Sequence, residues 1–298
     1  MMTPHPPASD GDSVAIAGLL AGVTIWGVIW LPYRLLNQAG LSPVSAAFFT
    51  DLVSLAAGCL LWWRVLPRRR PSLLLLLIAL TSGGANVGYV LGTVYGQVMR
   101  VMLLFYLAPL WTVLWSRLLL GERVGRAGAL VLAMSMGGAA IMLWRPEAGA
   151  PWPAAAADWI GLAAGLLFAL SNVLVRKAGT VDVRQKSLAA FFGVVVVAAA
   201  LWPVDPTSAD VLAGIGGRSV AIAVATGLVL IGATLLVYFA LGRLAANRAV
   251  VIMLFELVVA AVAAWLFSGE TMTPREWLGG ALIVTASLLS GRVGQSPG

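Results

Sequence analysis

The 298-residue chain is 60% apolar and only 10% charged, with a mean hydropathy of +0.95, where a soluble domain carries about a quarter charged residues. That composition excludes a water-soluble enzyme or binding module and makes the chain an integral membrane protein. Its +7 net charge is no nucleic-acid signal, because the arginines sit in short loops between apolar runs, where the membrane's own charge rule places them.

Residues 1–13 read as a polar tail, with Pro4, Pro6, Pro7, Asp10 and Asp12 and no Lys or Arg. It lacks the basic start of a signal peptide. Ten apolar runs follow, at about 14–36, 43–66, 72–95, 99–117, 126–144, 159–175, 186–202, 219–242, 249–267 and 274–291. Each suits a membrane-crossing helix. None alternates strictly, and irregular backbone cannot face lipid, so the predicted fold class is an all-α polytopic membrane protein with ten transmembrane helices. Ten spans place both termini on one side. Fourteen of the 19 basic residues collect there, against Arg34, Arg100, Arg145, Arg218 and Arg275 opposite. The positive side is cytoplasmic, so both termini are expected inside. Most tryptophans lie at span ends as interfacial anchors do, whereas Trp26, Trp30 and Trp111 lie deeper.

The third span has two faces. Gly84, Gly88, Gly92 and Gly96 recur every fourth residue as a smooth ridge, which lets another backbone approach closely. Ser82, Asn86, Tyr89, Thr93 and Gln97 form an adjacent polar stripe at helical spacing. A polar stripe does not face lipid. It either lines a central cavity or bonds neighbouring helices.

An internal repeat is present. Gly18-Leu19-Leu20-Ala21-Gly22 matches Gly161-Leu162-Ala163-Ala164-Gly165, and Ala46-Ala47-Phe48-Phe49 matches Ala189-Ala190-Phe191-Phe192, both at an offset of 143. Gly121-Glu122 matches Gly269-Glu270, and Arg100 matches Arg248, at an offset of 148. The expected units are a first five-helix repeat at 14–144, an external linker at 145–158, a second repeat at 159–292 and a tail at 293–298. Five spans is an odd number, so the second copy enters the membrane from the opposite side. Such inverted-topology repeats are a secondary-transporter architecture.

Ten spans as five plus five, Trp26-Gly27 in the first span, and Leu107-Ala108-Pro109 leading through Leu119-Leu120-Gly121-Glu122 resemble the EamA-type family of the drug/metabolite transporter superfamily. Within it the chain is most similar to the aromatic amino acid exporters of the YddG type. The resemblance implies export of aromatic and other neutral amino acids through a central cavity in the bacterial plasma (inner) membrane. One departure is Glu256-Leu257 in span nine, where the first copy has Ala108-Pro109. It removes the sequence basis for a symmetric hinge.

No enzyme constellation, metal cluster or G-x-x-x-x-G-K-[ST] loop is present, and Cys59 and His5 are each single. The expectation is no enzymatic activity and no cofactor, with a small-molecule substrate and the bilayer as partners. Nucleic acid is not expected, and a monomer is compatible with the sequence. Glu256, near the middle of span nine, is a candidate for binding a substrate ammonium or taking up a proton; its structural alternative is a protonated acid bonded to a neighbouring helix. Asp51 is a second candidate for proton or ion coupling, set against pairing with an outer basic residue such as Arg100. Candidate cavity residues are Trp26 and Trp30, four apart; Ser82, Asn86, Tyr89 and Thr93; Tyr106 and Trp111; Asn172; Thr234 and Tyr238; and Glu256. The two early tryptophans either clasp a flat substrate or pack as ordinary core. Pro32 and Pro109 cannot complete helical hydrogen bonds and are candidate hinges, or static kinks. The rivals to an amino acid exporter are a multidrug, metabolite or nucleotide-sugar carrier of the same superfamily and, farther off, a channel or structural membrane protein.

Overall fold

A computed structural model describes residues 10–64, 72–95, 101, 104–143, 153, 155–204, 216–268 and 273–293. Among these there are helices and no strands. They are α1 (Asp10–Val28), α2 (Trp30–Gln38), α3 (Pro43–Leu61), α4 (Leu73–Tyr95), α5 (Ala108–Leu120), α6 (Arg126–Leu143), α7 (Ala156–Lys177), α8 (Val183–Leu201), α9 (Gly217–Leu241), α10 (Ala246–Met253), α11 (Phe255–Ser268) and α12 (Pro274–Val293). Seven helical stretches are long and apolar enough to cross a membrane: Asp12–Gln38, Pro43–Leu61, Leu73–Gly92, Ala156–Lys177, Val183–Leu201, Gly217–Leu241 and Ala246–Phe267. Ala108–Leu120, Arg126–Ile141 and Trp277–Ala286 are shorter apolar helices. Helix α1 begins inside the stretch expected as a tail, and α7 inside the expected linker. Gly96, Gln97, Arg100, Gly269 and Glu270 lie outside the described residues.

Local chemistry explains the helix ends. Ser42 caps α3, its hydroxyl accepting from the Ser45 N–H at 3.1 Å, and Pro43 occupies the first turn, where no N–H is needed. Asp182 caps α8 by accepting from the Arg184 N–H at 2.8 Å. Gly121 ends α5 with φ of 71°, a left-handed conformation that suits glycine.

Among the described residues, three of the apolar runs are interrupted. The first breaks at Ile29, three residues before Pro32. The proline ring clashes with the carbonyl of Val28, and the Ile29 N–H turns back to Trp26 O at 3.2 Å. The fourth breaks at Tyr106–Leu107, where the Leu107 N–H reaches Leu104 O at 3.3 Å. Pro109 therefore does not kink a continuous helix; it sits in the first turn of α5, where its missing N–H costs nothing. Span nine breaks at the matching place, Leu254, between α10 and α11, although no proline is there. The two halves therefore break at matching places, although the missing proline had removed the sequence basis for a symmetric hinge. In each, a carbonyl beside the break presses onto a glycine of a crossing helix. A Cβ on Gly165 of α7 would overlap the Phe105 carbonyl, and one on Gly27 of α1 would sit 3.0 Å from the Glu256 carbonyl.

The two halves of the chain do not form separate bodies. The main packing pairs are α4 with α7 and α8, α9 with α1 and α3, α5 with α7, α11 with α1, α3 with α8, α6 with α12, and α5 with α10. Every pair joins a helix before residue 150 to one after it. Exchanging the halves turns each pair into another pair of the set or into itself. The glycine ridge of α4 lies on α7: Gly84 faces Leu167, Gly88 faces Ala164, and Gly92 faces Ala157. The partner numbers fall as the glycine numbers rise, so α4 and α7 run antiparallel. Gly83, beside the ridge, faces α8. A Cβ there would overlap the Gly193 carbonyl, and a Cβ on Gly193 would overlap the Ala79 carbonyl, so these two helices meet backbone to backbone.

Candidate functional site

The interrupted spans converge with α1, α4, α7 and α9. Tyr106, at the fourth-span break, donates its hydroxyl to Glu256 Oε1 in the first turn of α11, at 3.4 Å. Aromatic rings wall this pair. Phe105 stands edge-on to Tyr106 at 5.4 Å between centroids, and Tyr89 and Phe168 pack in turn on Phe105, at 4.8 and 5.3 Å. Leu254 and Leu257 from the span-nine break close the same cluster. A carboxylate held by one phenol among rings suits an ammonium group, which gains from both the charge and the ring faces.

A second polar group lies between α4, α7 and α9. The hydroxyls of Ser82 and Ser171 are 2.7 Å apart, and the Tyr238 hydroxyl is 3.2 Å from Ser82. Asn172 donates to the Met253 sulfur at 3.8 Å. Ser82 and Tyr238, widely separated in sequence, thus come together through Ser171, the neighbour of Asn172, with Thr234 buried one turn before Tyr238. At Ser82 the inter-helix bonding alternative is what the geometry displays. Asn86 differs: its Oδ1 is buried with no partner among the described residues. Thr93 lies in α4, with its side chain outside those described.

Trp26 is half-buried and packs against two clusters, one with Tyr238 and Met253, the other with Phe191 and Ile231. Trp30 is half-buried beyond the Ile29 break. The two were expected to share a helical face, but the break falls between them. Asp51 is 4% exposed, and its Oδ2 has no partner among the described residues. Beside it the Tyr33 hydroxyl and Thr50 Oγ1 are 2.9 Å apart. The Arg100 proposed as its partner lies outside the described residues.

The arginine-rich end carries cross-half bonds. Glu122 Oε1 accepts from Arg176 Nε at 2.5 Å, Glu122 Oε2 accepts from the Ala246 N–H at 3.0 Å, and Arg176 also donates to the Leu244 carbonyl. Glu122 thereby caps α10, a helix from the other half of the chain. Close by, Ser116 donates to Asn247 Oδ1 at 3.1 Å, and Arg248 pairs with Asp12 at 3.1 Å. That Glu122 bridges the two halves is not visible in its motif. Phe105, Phe168 and Ser171 were also missed, though Ser171 adjoins the candidate Asn172 and Phe105 adjoins Tyr106.

The model of the EamA-like transporter family matches the chain twice, over residues 13–144 and 155–292. Among proteins of curated function none matches. A solved crystal structure aligns with a TM-score of 0.76 at 17% identity, covering 96% of this chain and 99% of its own, a likeness that shows the fold alone.

Proposed function

The chain belongs to the EamA-like transporter family, and from that premise we propose that it is a secondary transporter exporting neutral amino acids, aromatic ones included, across the bacterial plasma membrane. The observation that carries the reading is Glu256 bonded between two helix breaks to Tyr106, whose ring belongs to an aromatic cluster with Phe105, Tyr89 and Phe168. Ammonium and aromatic body both find partners there. The site lies where helices of both halves meet, so a relative movement of the halves opens it to each side in turn. Support for ten spans in two inverted repeats comes from the exchange-symmetric packing and from the antiparallel run of α4 on α7. An upright repeat would make the first span of the second half parallel to the third span of the first. The arginine-rich face is then cytoplasmic, and the Glu122 clamp closes that side.

The test is flux from proteoliposomes loaded with labelled phenylalanine or with a small polar amino acid, with and without a pH gradient. Saturable fluxes that compete with one another are expected, with Glu256→Gln abolishing any pH dependence. No amino acid flux at all would refute the substrate assignment and favour the multidrug or nucleotide-sugar alternative. Unchanged pH dependence in the glutamine variant would remove Glu256 from coupling.

A further inference from the structure

Helix α5 carries three buried polar atoms that the Glu256 site does not use. Ala108, Pro109, Thr112 and Ser116 are the buried residues of this helix, and Leu110, Leu114 and Leu118 are exposed. Trp111 Nε1, Thr112 Oγ1 and Trp115 Nε1 are each buried without a hydrogen-bond partner among the described residues, and Thr112 is only 1% exposed. A helical threonine commonly donates to the carbonyl four residues back; this one does not. Ser116, one turn beyond Thr112, has found an acceptor in Asn247 on α10.

The character of the set is one-sided. An indole N–H donates and never accepts, and the threonine hydroxyl can do the same. No acidic residue lies on α5 or on α10, and the one acid of α7, Asp158, sits in that helix's first turn and accepts from the Ala155 N–H. The nearest acid along the chain, Glu122, is held by Arg176 and the Ala246 N–H. Three buried donors on one helix, none of them bonded to a carboxylate of the protein, suit an anionic acceptor.

We propose that Trp111, Thr112 and Trp115 form a carboxylate subsite, so that the substrate is a zwitterion with its ammonium toward Glu256 and its carboxylate toward α5. Thr112 lies about 6 Å along the axis from Ala108 at the break, a separation that side chains and a small zwitterion bridge together. This rests on the transporter reading and adds the group that selects its substrate.

The test is ligand binding to the purified full-length protein in nanodiscs, by thermal shift, with three probes: L-phenylalanine, 3-phenylpropionate without the amine, and phenethylamine without the carboxylate. Thr112→Val keeps the shape and removes the hydroxyl; Trp115→Phe removes one N–H. Each is expected to weaken the two carboxylate-bearing probes about tenfold, the effect of one hydrogen bond to a charged group. Phenethylamine should bind unchanged, and Thr112→Val should not lower the ligand-free melting temperature. Equal loss for all three probes, loss for none, or no binding of either carboxylate probe to the wild type overturns the subsite. If phenylalanine is transported while both variants bind it normally, the subsite falls and the amino acid reading stands. If 3-phenylpropionate binds in a Thr112-dependent way and phenylalanine is neither bound nor carried, the amino acid reading falls and the subsite stands.

Discussion

Replacing Glu122 by alanine removes two cross-half bonds at once, the ion pair to Arg176 and the cap on the Ala246 N–H. The Arg176 and Glu122 side chains are 25% and 17% exposed, so solvent screens the pair only in part. Such an ion pair contributes about 1–2 kcal/mol, between surface and buried cases, and a helix cap about 1 kcal/mol. Both contacts tie the halves together at the arginine-rich end. If they exist only while that end is closed, losing about 2–3 kcal/mol shifts the closed-to-open ratio by roughly 30- to 150-fold. The assay is maleimide labelling of a single cysteine placed at Ser116, between the clamp and the Tyr106–Glu256 site, in a Cys59→Ala background. Labelling from the side bearing the N-terminus should accelerate at least about tenfold in Glu122→Ala, and Arg176→Ala should do the same. Combining the two should add little, since the ion pair is then counted twice. Unchanged labelling, together with a melting temperature lowered by the full cost, would show that the bridge is a static strut and refute the clamp.

Two other substitutions test the packing and the caps. Gly193→Leu should force α8 from α4, because even a Cβ overlaps the Ala79 carbonyl. It should cost at least about 1–3 kcal/mol, read as a lower melting temperature in detergent; Gly137→Ala on α6, where a Cβ meets nothing within 4 Å, should be neutral or stabilising. The Arg184 side chain and then its backbone N–H hold the Asp182 carboxyl below the usual carboxylate range. A depressed folded value means that the contribution of Asp182 is present above about pH 4 and lost as pH falls through that lower value. Asp182→Asn should therefore flatten the acid limb of a melting-temperature profile, and an unchanged limb would contradict this.

Much of the architecture was legible because lipid leaves few options. Apolar runs must be helices when no water can satisfy the backbone, so the span positions follow from hydropathy alone. The ridge of Gly84, Gly88 and Gly92 was readable as a packing face because helical spacing puts them in one line, and α7 lies on it. Pro32 marked a true break for a local covalent reason. The break at Leu254 was not legible, because no residue there forbids helix; it matches the first-half break at Tyr106–Leu107, and the Glu256 carbonyl just beyond it lies against Gly27. The interruption at Ile29, between Trp26 and Trp30, was not legible from their spacing, since helical periodicity does not register a break.

The sequence by itself determined the class of protein, the helical runs, the duplicated order and the residues with enough polarity to stand out in an apolar chain. Those properties depend on transfer to lipid and on spacing of a few residues. Only the tertiary structure decided which of these residues meet. Glu256 and Tyr106 are 150 positions apart, Ser82 and Tyr238 are 156, and Glu122 caps a helix 124 residues further on. No local preference encodes such pairs. They arise because helices of one half pack against helices of the other, and that packing energy exists only once both halves are in place.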